Sequence, residues 1–197
     1  MNHTTPSMRY LLQKIASAIS LLVLCSVQLS AQAWEYLTPI KTNSEIRGCS
    51  FLDEQRGIAV ILATKKVFRT MDGGETWENT WTPTVSSNPN DVVWVTENLL
   101  FIAAGNGDLY RSLDGGNTWA NMNPPTTLWL YNVHFINDTT GFPTGESGLI
   151  LKTSDAGATW TLIPAVTTNR LYGVHFTDEN NGVIVGWNGT ILRTTDG

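Results

Sequence analysis

Short apolar runs alternate with polar Gly/Asn/Asp turns along this chain, and the alternation itself repeats. The clearest copy lies near the end. Leu171-Tyr172-Gly173-Val174-His175-Phe176 reads as a first strand, Thr177 to Asn181 as a polar turn, and Gly182-Val183-Ile184-Val185-Gly186 as a second strand. Trp187-Asn188-Gly189 turns the chain into a third strand, Thr190 to Thr194, and a fourth strand follows a complete motif at Trp160 to Ile163. Short strands with Gly/Asn/Asp turns at even spacing predict an antiparallel meander.

Between third and fourth strands stands one motif, [Ser/Thr]-x-Asp-x-Gly-x-Thr-Trp. It occurs with Thr70, Asp72, Gly74, Thr76 and Trp77, then with Ser112, Asp114, Gly116, Thr118 and Trp119. It returns with Thr153, Asp155, Gly157, Thr159 and Trp160. A fourth copy opens with Thr194 and Asp196. The aspartates are spaced 42, 41 and 41 residues apart. Asp closes a turn by accepting backbone N–H groups two residues on, and Gly supplies the positive φ of a tight hairpin. The β-branched Thr restarts a strand, and the Trp buries an indole of ~150–250 Å². The motif predicts a strand–turn–strand staple with an aromatic plug, structural in every residue. Truncating Trp119 to Ala is expected to cost ~3–5 kcal/mol.

A second signature precedes the motif. Phe51 to Gly57, Phe135 to Gly141 and Phe176 to Gly182 share Phe-x-[Asp/Asn]-[Asp/Glu]-x-x-Gly; the second repeat has Trp94 and Leu100 instead. The turn between second and third strands contains Gly105-Asn106-Gly107 in repeat two and Gly145 to Gly148 in repeat three. Repeat one has Leu62 to Lys66 there without Gly, so its turn must differ.

Four-stranded units of this period, repeated radially, are the blades of a β-propeller. The expectation is an all-β fold of four-stranded antiparallel blades, about four repeats. Trp34 aligns with the motif Trp, so the array begins at a fourth strand. Two closures compete: a four-bladed ring completed by that strand, and part of a larger propeller. The second is favoured, because the sequence stops inside a motif.

Residues 1–33 read as a secretory signal peptide: Arg9 and Lys14, an apolar run from Ile15 to Val27, and Ala31-Gln32-Ala33 for cleavage. Residues 34–197 are then the exported repeat region, destined for the periplasm, the cell surface or the medium. No later stretch is long and apolar enough to span a membrane. Removal of the leader takes two basic residues and no acidic one. Ten basic and 17 acidic residues remain, a formal charge of −7. That balance argues against nucleic acid or an anionic membrane as partner. Cys49 is the one Cys left in 34–197, excluding an internal disulfide or a Cys-based metal site, and it is expected to pack as a small hydrophobe.

The motif is the Asp-box, or BNR repeat, of sialidases, sortilin-type receptors and several glycosidases. The longer pattern of residues 176–197 resembles the photosystem II stability/assembly factor family. That resemblance implies a seven-bladed propeller and a non-catalytic scaffold that binds another protein, in photosynthetic members a photosystem II subunit precursor. Nothing in the sequence shows a photosynthetic host.

Chemistry finds little purchase. A sialidase needs an arginine trio, a Tyr–Glu nucleophile pair and a Phe/Tyr-Arg-Ile-Pro motif, which is absent. Arg69, Arg111, Lys152 and Arg193 recur at one position and read as a solvated strand face. A glycosidase needs two carboxylates ~5–9.5 Å apart, and turn bonding occupies the motif aspartates. His134 and His175 share one strand position and are expected to pack between sheets, since zinc needs three or four ligands. No catalytic residue, metal or cofactor is assigned. Propellers bind at the ends of the central channel, lined here by the turns before each first strand and after each second. Glu146 lies in those turns, and Arg47, Trp129, Tyr131, Arg170, Tyr172 and Trp187 are the partner-binding candidates, of the side-chain types that dominate protein hot spots. The expected ligand is a protein, with a glycan as the lesser option. The alternatives are a secreted Asp-box glycosidase with its active site elsewhere, and a cell-surface adhesion module.

Overall fold

The computed structural model describes residue 40, residues 43–82 and residues 87–197. The leader 1–33 and Trp34 lie outside the described residues. Within the described residues fifteen strands follow one another as four meanders. The first blade is β1 (Ile46–Phe51), β2 (Gly57–Ile61), β3 (Val67–Thr70) and β4 (Glu78–Trp81). The second is β5 (Pro89–Trp94), β6 (Leu100–Ala104), β7 (Leu109–Ser112) and β8 (Ala120–Asn121). The third is β9 (Leu130–Phe135), β10 (Gly141–Gly145), β11 (Ile150–Lys152) and β12 (Thr161–Ile163); the fourth has β13 (Leu171–Phe176), β14 (Gly182–Gly186) and β15 (Ile191–Thr194). Strands pair antiparallel in chain order within each sheet. The expected strand limits for the last repeat are met within a residue.

First strands of successive blades lie side by side, β1 by β5, β5 by β9 and β9 by β13. The second strands β2, β6 and β10 are buried on both faces. In β6, Leu100, Ile102 and Ala104 point toward the first blade, joining Ile58, Val60, Val67, Val92, Trp94 and Tyr110 in one core. Phe101 and Ala103 point the other way, into a core with Leu109, Leu130, Val133, Leu149, Leu151 and Trp160. A third core joins Phe142 and Ile150 to Leu171, Val174, Phe176 and Ile184. One sheet thus supplies both its neighbours, which is why β6 reads as a continuous apolar run rather than an alternating one. In β14 the alternation returns: Ile184 is buried, while Val183 and Val185 are exposed with Ile191 beside them.

The Phe-to-Gly signature has a steric cause. A Cβ on Gly57, Gly141 or Gly182 would lie 2.6 Å from the ring of Phe51, Phe135 or Phe176. The ring ending the first strand folds over the glycine that opens the second. In the turn between them, Asp53, Asn137 and Asp178 each accept two backbone N–H groups, from two and three residues on. The turn after the second strand is a tight single loop at Gly105–Gly107, Glu146–Gly148 and Trp187–Gly189, with Asn106, Ser147 and Asn188 left-handed at φ 59, 55 and 53°. The first blade differs as its sequence requires. Its loop is one residue longer, closing from Ile61 N–H to the Lys66 carbonyl (3.0 Å) and placing Lys65 at φ 54°.

Each Asp-box is one closed circuit. Thr70 Oγ1 donates to Asp72 Oδ1 (2.7 Å) and accepts from Gly74 N–H (2.9 Å). Asp72 Oδ1 accepts Thr76 N–H (2.9 Å) and Oδ2 accepts the Thr76 hydroxyl (2.6 Å). Ser112–Asp114–Thr118 and Thr153–Asp155–Thr159 repeat it. The aspartate reaches the N–H four residues on rather than two, because the N–H two residues on, that of Gly74, Gly116 or Gly157, is taken by the hydroxyl that opens the box. Thr76, first by its hydroxyl and then by its N–H, holds Asp72 down at about 2, and Thr159 does the same for Asp155 at about 2. The indoles are less uniform than expected. Trp77 and Trp119 are half-buried, and only Trp160 is buried.

Two expectations are corrected. Cys49 is exposed, not packed, because Gly48 and Ser50 hold the side of β1 that meets the second blade and Cys49 alternates away from it. Three of the four cations before the boxes do not form a solvated face; Arg193 alone of them is exposed. Arg69 Nη1 donates to the Gly115 carbonyl, Arg111 Nη1 to the Ala156 carbonyl and Lys152 Nζ to the Gly197 carbonyl, at 3.0, 3.0 and 2.8 Å. Each blade clasps the box of the next.

Candidate functional site

The first strands carry the site. In all four, pairing with the second strand slips by one residue, and the residue left unpaired is Arg47, Asn90, Tyr131 or Tyr172. A bulge bends its strand and re-aims the side chain. Four bulges at one repeat position turn four side chains toward the same end of the sheets. They line an open cleft of about 590 Å³ with Trp129, Glu146 and Arg170.

The cleft is held from below and polar above. Arg47 Nη1 donates to Asn90 Oδ1 (3.1 Å), and Asn90 Nδ2 donates to the Leu130 carbonyl (2.7 Å), tying the first three blades in sequence. Glu45 takes the other side of the Arg47 guanidinium at 3.2 Å. Tyr131 and Tyr172 tilt against each other with ring centroids 5.2 Å apart, and Trp129 stands 6.4 Å from Tyr131. Trp129 also lies over Gly105, whose Cβ would meet the indole at 3.1 Å. Burial pushes the Tyr131 hydroxyl up, with Arg170 pulling the other way and Glu146 adding to the rise. A hydrogen bond with Tyr172 favours charged Arg170. The wall therefore offers two guanidinium groups, one carboxylate, and three aromatic faces.

Five of the six binding candidates meet here. Trp187 does not line the cleft; it is exposed at the rim, with its ring 5.9 Å from the Arg170 guanidinium. Asn90 was missing from the candidates. Its position, one period from Arg47 and from Tyr131, is the signal that finds it. The deeper neighbour of this cleft is Asp91, on the inner face of β5. Its Oδ2 accepts Asn132 Nδ2 (2.7 Å) and Val133 N–H (3.1 Å), while Asn132 Oδ1 accepts Val174 N–H (3.2 Å). Burial raises Asp91 to about 6, against the backbone N–H groups of Val133 and Val92, which favour the carboxylate.

Other candidate chemistry is dispersed. His134 and His175 stand 4.9 Å apart, but only His134 is half-buried and His175 is exposed. The last blade has no neighbour on that face among the described residues, so nothing covers the second imidazole. Burial, then the His175 charge, lowers His134. Among the described residues no three His, Cys, Asp or Glu side chains cluster as a metal site, and no helix is long and apolar enough to cross a membrane.

The sequence model of the family described as photosynthesis system II assembly factor YCF48 matches residues 79–154. No curated protein matches in a sequence search. Among solved structures, YCF48 from Cyanidioschyzon merolae superposes at TM-score 0.61 and 17% identity, over 76% of this chain and 50% of that one. A structure of YCF48 bound to D1 peptide gives 0.62 and 18%, over 82% and 58%. An ancestral GH74 enzyme gives 0.64 and 17%, over 85% of this chain and 25% of that one. At such identities the likeness is one of fold, and this chain spans about half the length of the two YCF48 structures. The chain is an Asp-box (BNR) repeat β-propeller whose repeat is close to that of the photosystem II assembly factors.

Proposed function

We propose that this chain is a non-catalytic, exported scaffold that binds a segment of another protein in the cleft at the bulged ends of its first strands. One observation carries the reading: four bulges at one repeat position converge Arg47, Asn90, Tyr131 and Tyr172 on a single opening. Tyr, Trp and Arg in a partly enclosed concavity are the side chains that anchor protein partners. The structure of a YCF48 with a D1 peptide supports a peptide as ligand for this fold. Export is supported by the leader in the sequence. The box carboxylates are committed to their own turns, so the glycosidase alternative draws no acid–base pair from them.

The test starts with peptides selected by phage display on the immobilised chain and measured by fluorescence anisotropy. Replacing both Tyr131 and Tyr172 by Ala is expected to weaken the selected peptides by about 30-fold, the size of a hot-spot loss of about 2 kcal/mol. Affinity unchanged in that double variant, with its thermal melt intact, rules the cleft out. Glycoside hydrolysis by the purified chain above a buffer blank rules out the scaffold.

A further inference from the structure

The hydrogen-bonding groups around the cleft are unevenly committed. Two residues before each bulge, the carbonyls of Glu45, Asn88, Trp129 and Arg170 each accept the first N–H beyond the second strand of the same blade, at 3.0, 2.9, 2.8 and 2.8 Å. The Leu130 carbonyl takes the Asn90 amide at 2.7 Å, and Asn90 Oδ1 takes Arg47 at 3.1 Å. These acceptors are closed from within, one blade after another. What the wall brings to a ligand is mostly donors: the Tyr131 hydroxyl, the Trp129 indole N–H and the Arg170 guanidinium, whose one hydrogen bond goes to Tyr172.

Charge is balanced. Glu45 lies 3.2 Å from the Arg47 guanidinium, and Glu146 attracts Arg170 within the same wall. Among the described residues two guanidinium groups thus meet two carboxylates, and neither an acidic nor a basic segment is favoured by charge. The apolar part of the wall is ring faces. Trp129, Tyr131 and Tyr172 follow one another at 6.4 and 5.2 Å between centroids, with 47 and 46° between successive planes.

An ordinary peptide laid over these rings brings an N–H with every carbonyl, and an N–H buried without an acceptor is costly. Proline brings a carbonyl and no N–H. Its runs form the polyproline II helix, which rises ~3.1 Å per residue, so every second ring advances by about 6 Å. That step matches the spacing of the aromatic rings. Aromatic-lined grooves recognise such segments because their backbone order is set before binding.

We propose that the cleft takes a proline-rich segment in the polyproline II conformation, its rings on Trp129, Tyr131 and Tyr172 and its carbonyls accepting from the wall. This rests on the cleft being the peptide-binding site. A glycan also stacks on aromatic rings, but each of its hydroxyls is a donor as well as an acceptor, and the wall has few acceptors left to meet it.

The probe is a labelled nonaproline peptide, titrated with the chain by fluorescence anisotropy beside a copy in which every second proline is alanine. Saturable binding is expected, weakened at least about tenfold in the alanine copy, which regains N–H groups, and about 30-fold when Tyr131→Ala and Tyr172→Ala are combined. Raising the salt about tenfold is expected to change the affinity by less than about twofold, as for a neutral ligand. The comparison of peptides leaves the chain untouched, so it decides the matter even if the double variant loses its melt. Peptides selected on the chain separate this proposal from the reading beneath it. If they weaken in the folded double variant but carry no proline and are not displaced by nonaproline, the cleft binds peptides and the proline assignment is wrong. If they keep their affinity there, the cleft is not the site and both fall. Absence of saturable nonaproline binding, equal affinity for the alanine copy, or displacement of the selected peptides by an oligosaccharide and not by nonaproline each overturns the proposal.

Discussion

At the scale of single residues the Asp-box is a fastener. Three side chains satisfy five backbone or hydroxyl donors within eight residues, and the carboxylate is held far below its ordinary range by bonds rather than by burial. The sign follows. A lowered carboxylate stabilises the fold above the unfolded value near 3.8, and that contribution is lost as pH falls toward about 2. The plug role belongs most to Trp160, the buried indole, so Trp160→Ala is expected to cost ~3–5 kcal/mol in chemical denaturation, and half-buried Trp119 less. Equal losses at the two sites would deny that burial sets the cost. The clasping cations make a separate prediction. Arg111→Met keeps most of the aliphatic stem but deserts the Ala156 carbonyl, for an expected loss of about 1.5–3 kcal/mol. An unchanged melting temperature in that variant would return Arg111 to a mere surface role.

At the scale of elements, the tight turn after each second strand shows how one sequence pattern serves two environments. Gly148 and Gly189 are both left-handed, at φ 75 and 68°. A Cβ at Gly148 would collide with the Thr167 carbonyl of the next blade, while one at Gly189 meets nothing within 4 Å. Gly189→Ala should therefore cost only the backbone strain, ~1–2 kcal/mol, and Gly148→Ala clearly more. Thermal melts of the pair decide it, and matched losses would mean the turn does not pack on its neighbour. The bulges are the other elemental device. Without the slip at Tyr131 and Tyr172, strict alternation would carry every later side chain of those strands to the opposite face. The bulge leaves Val133 and Val174 in the inter-blade cores while freeing the tyrosines for the cleft.

At the scale of the whole repeat region, the first strands are joined by a polar ladder from Asp91 through Asn132 to the Val174 N–H. Asp91 is raised to about 6 mainly by burial. Its protonated form is favoured on folding, so its contribution is complete below pH 3.8 and is lost as pH rises through about 6. Asp91→Asn should leave stability unchanged below pH 4 and raise it by roughly 2–3 kcal/mol at pH 8. Denaturant titrations at the two pH values test this; a variant weaker than wild type at pH 8 would mean the ionised carboxylate is stabilising after all.

Much of this was legible beforehand. The period of 42, 41 and 41 residues, the turn chemistry and the strand limits near residues 171–194 are local matters, set by which φ values and which neighbouring N–H groups a residue can reach. The altered turn of the first blade was visible in the missing glycine, and five cleft residues were visible as aromatics and arginines outside the repeat's own pattern. Contacts between blades were not. That Arg69, Arg111 and Lys152 reach across to the next box depends on a neighbour 45 or 46 residues away, and a cation at a polar position looks the same whether it meets water or a carbonyl. Asn90 could be placed by the period, one repeat from Arg47 and from Tyr131, but what its amide does is set by Arg47 and the Leu130 carbonyl. The exposure of Cys49 and His175 likewise turns on what each sheet face meets. The chain's own order of residues determined blades; stacking them decided which side chains are clasps, which are core and which open a cleft, because burial is a property of the space between sheets and not of either sheet alone.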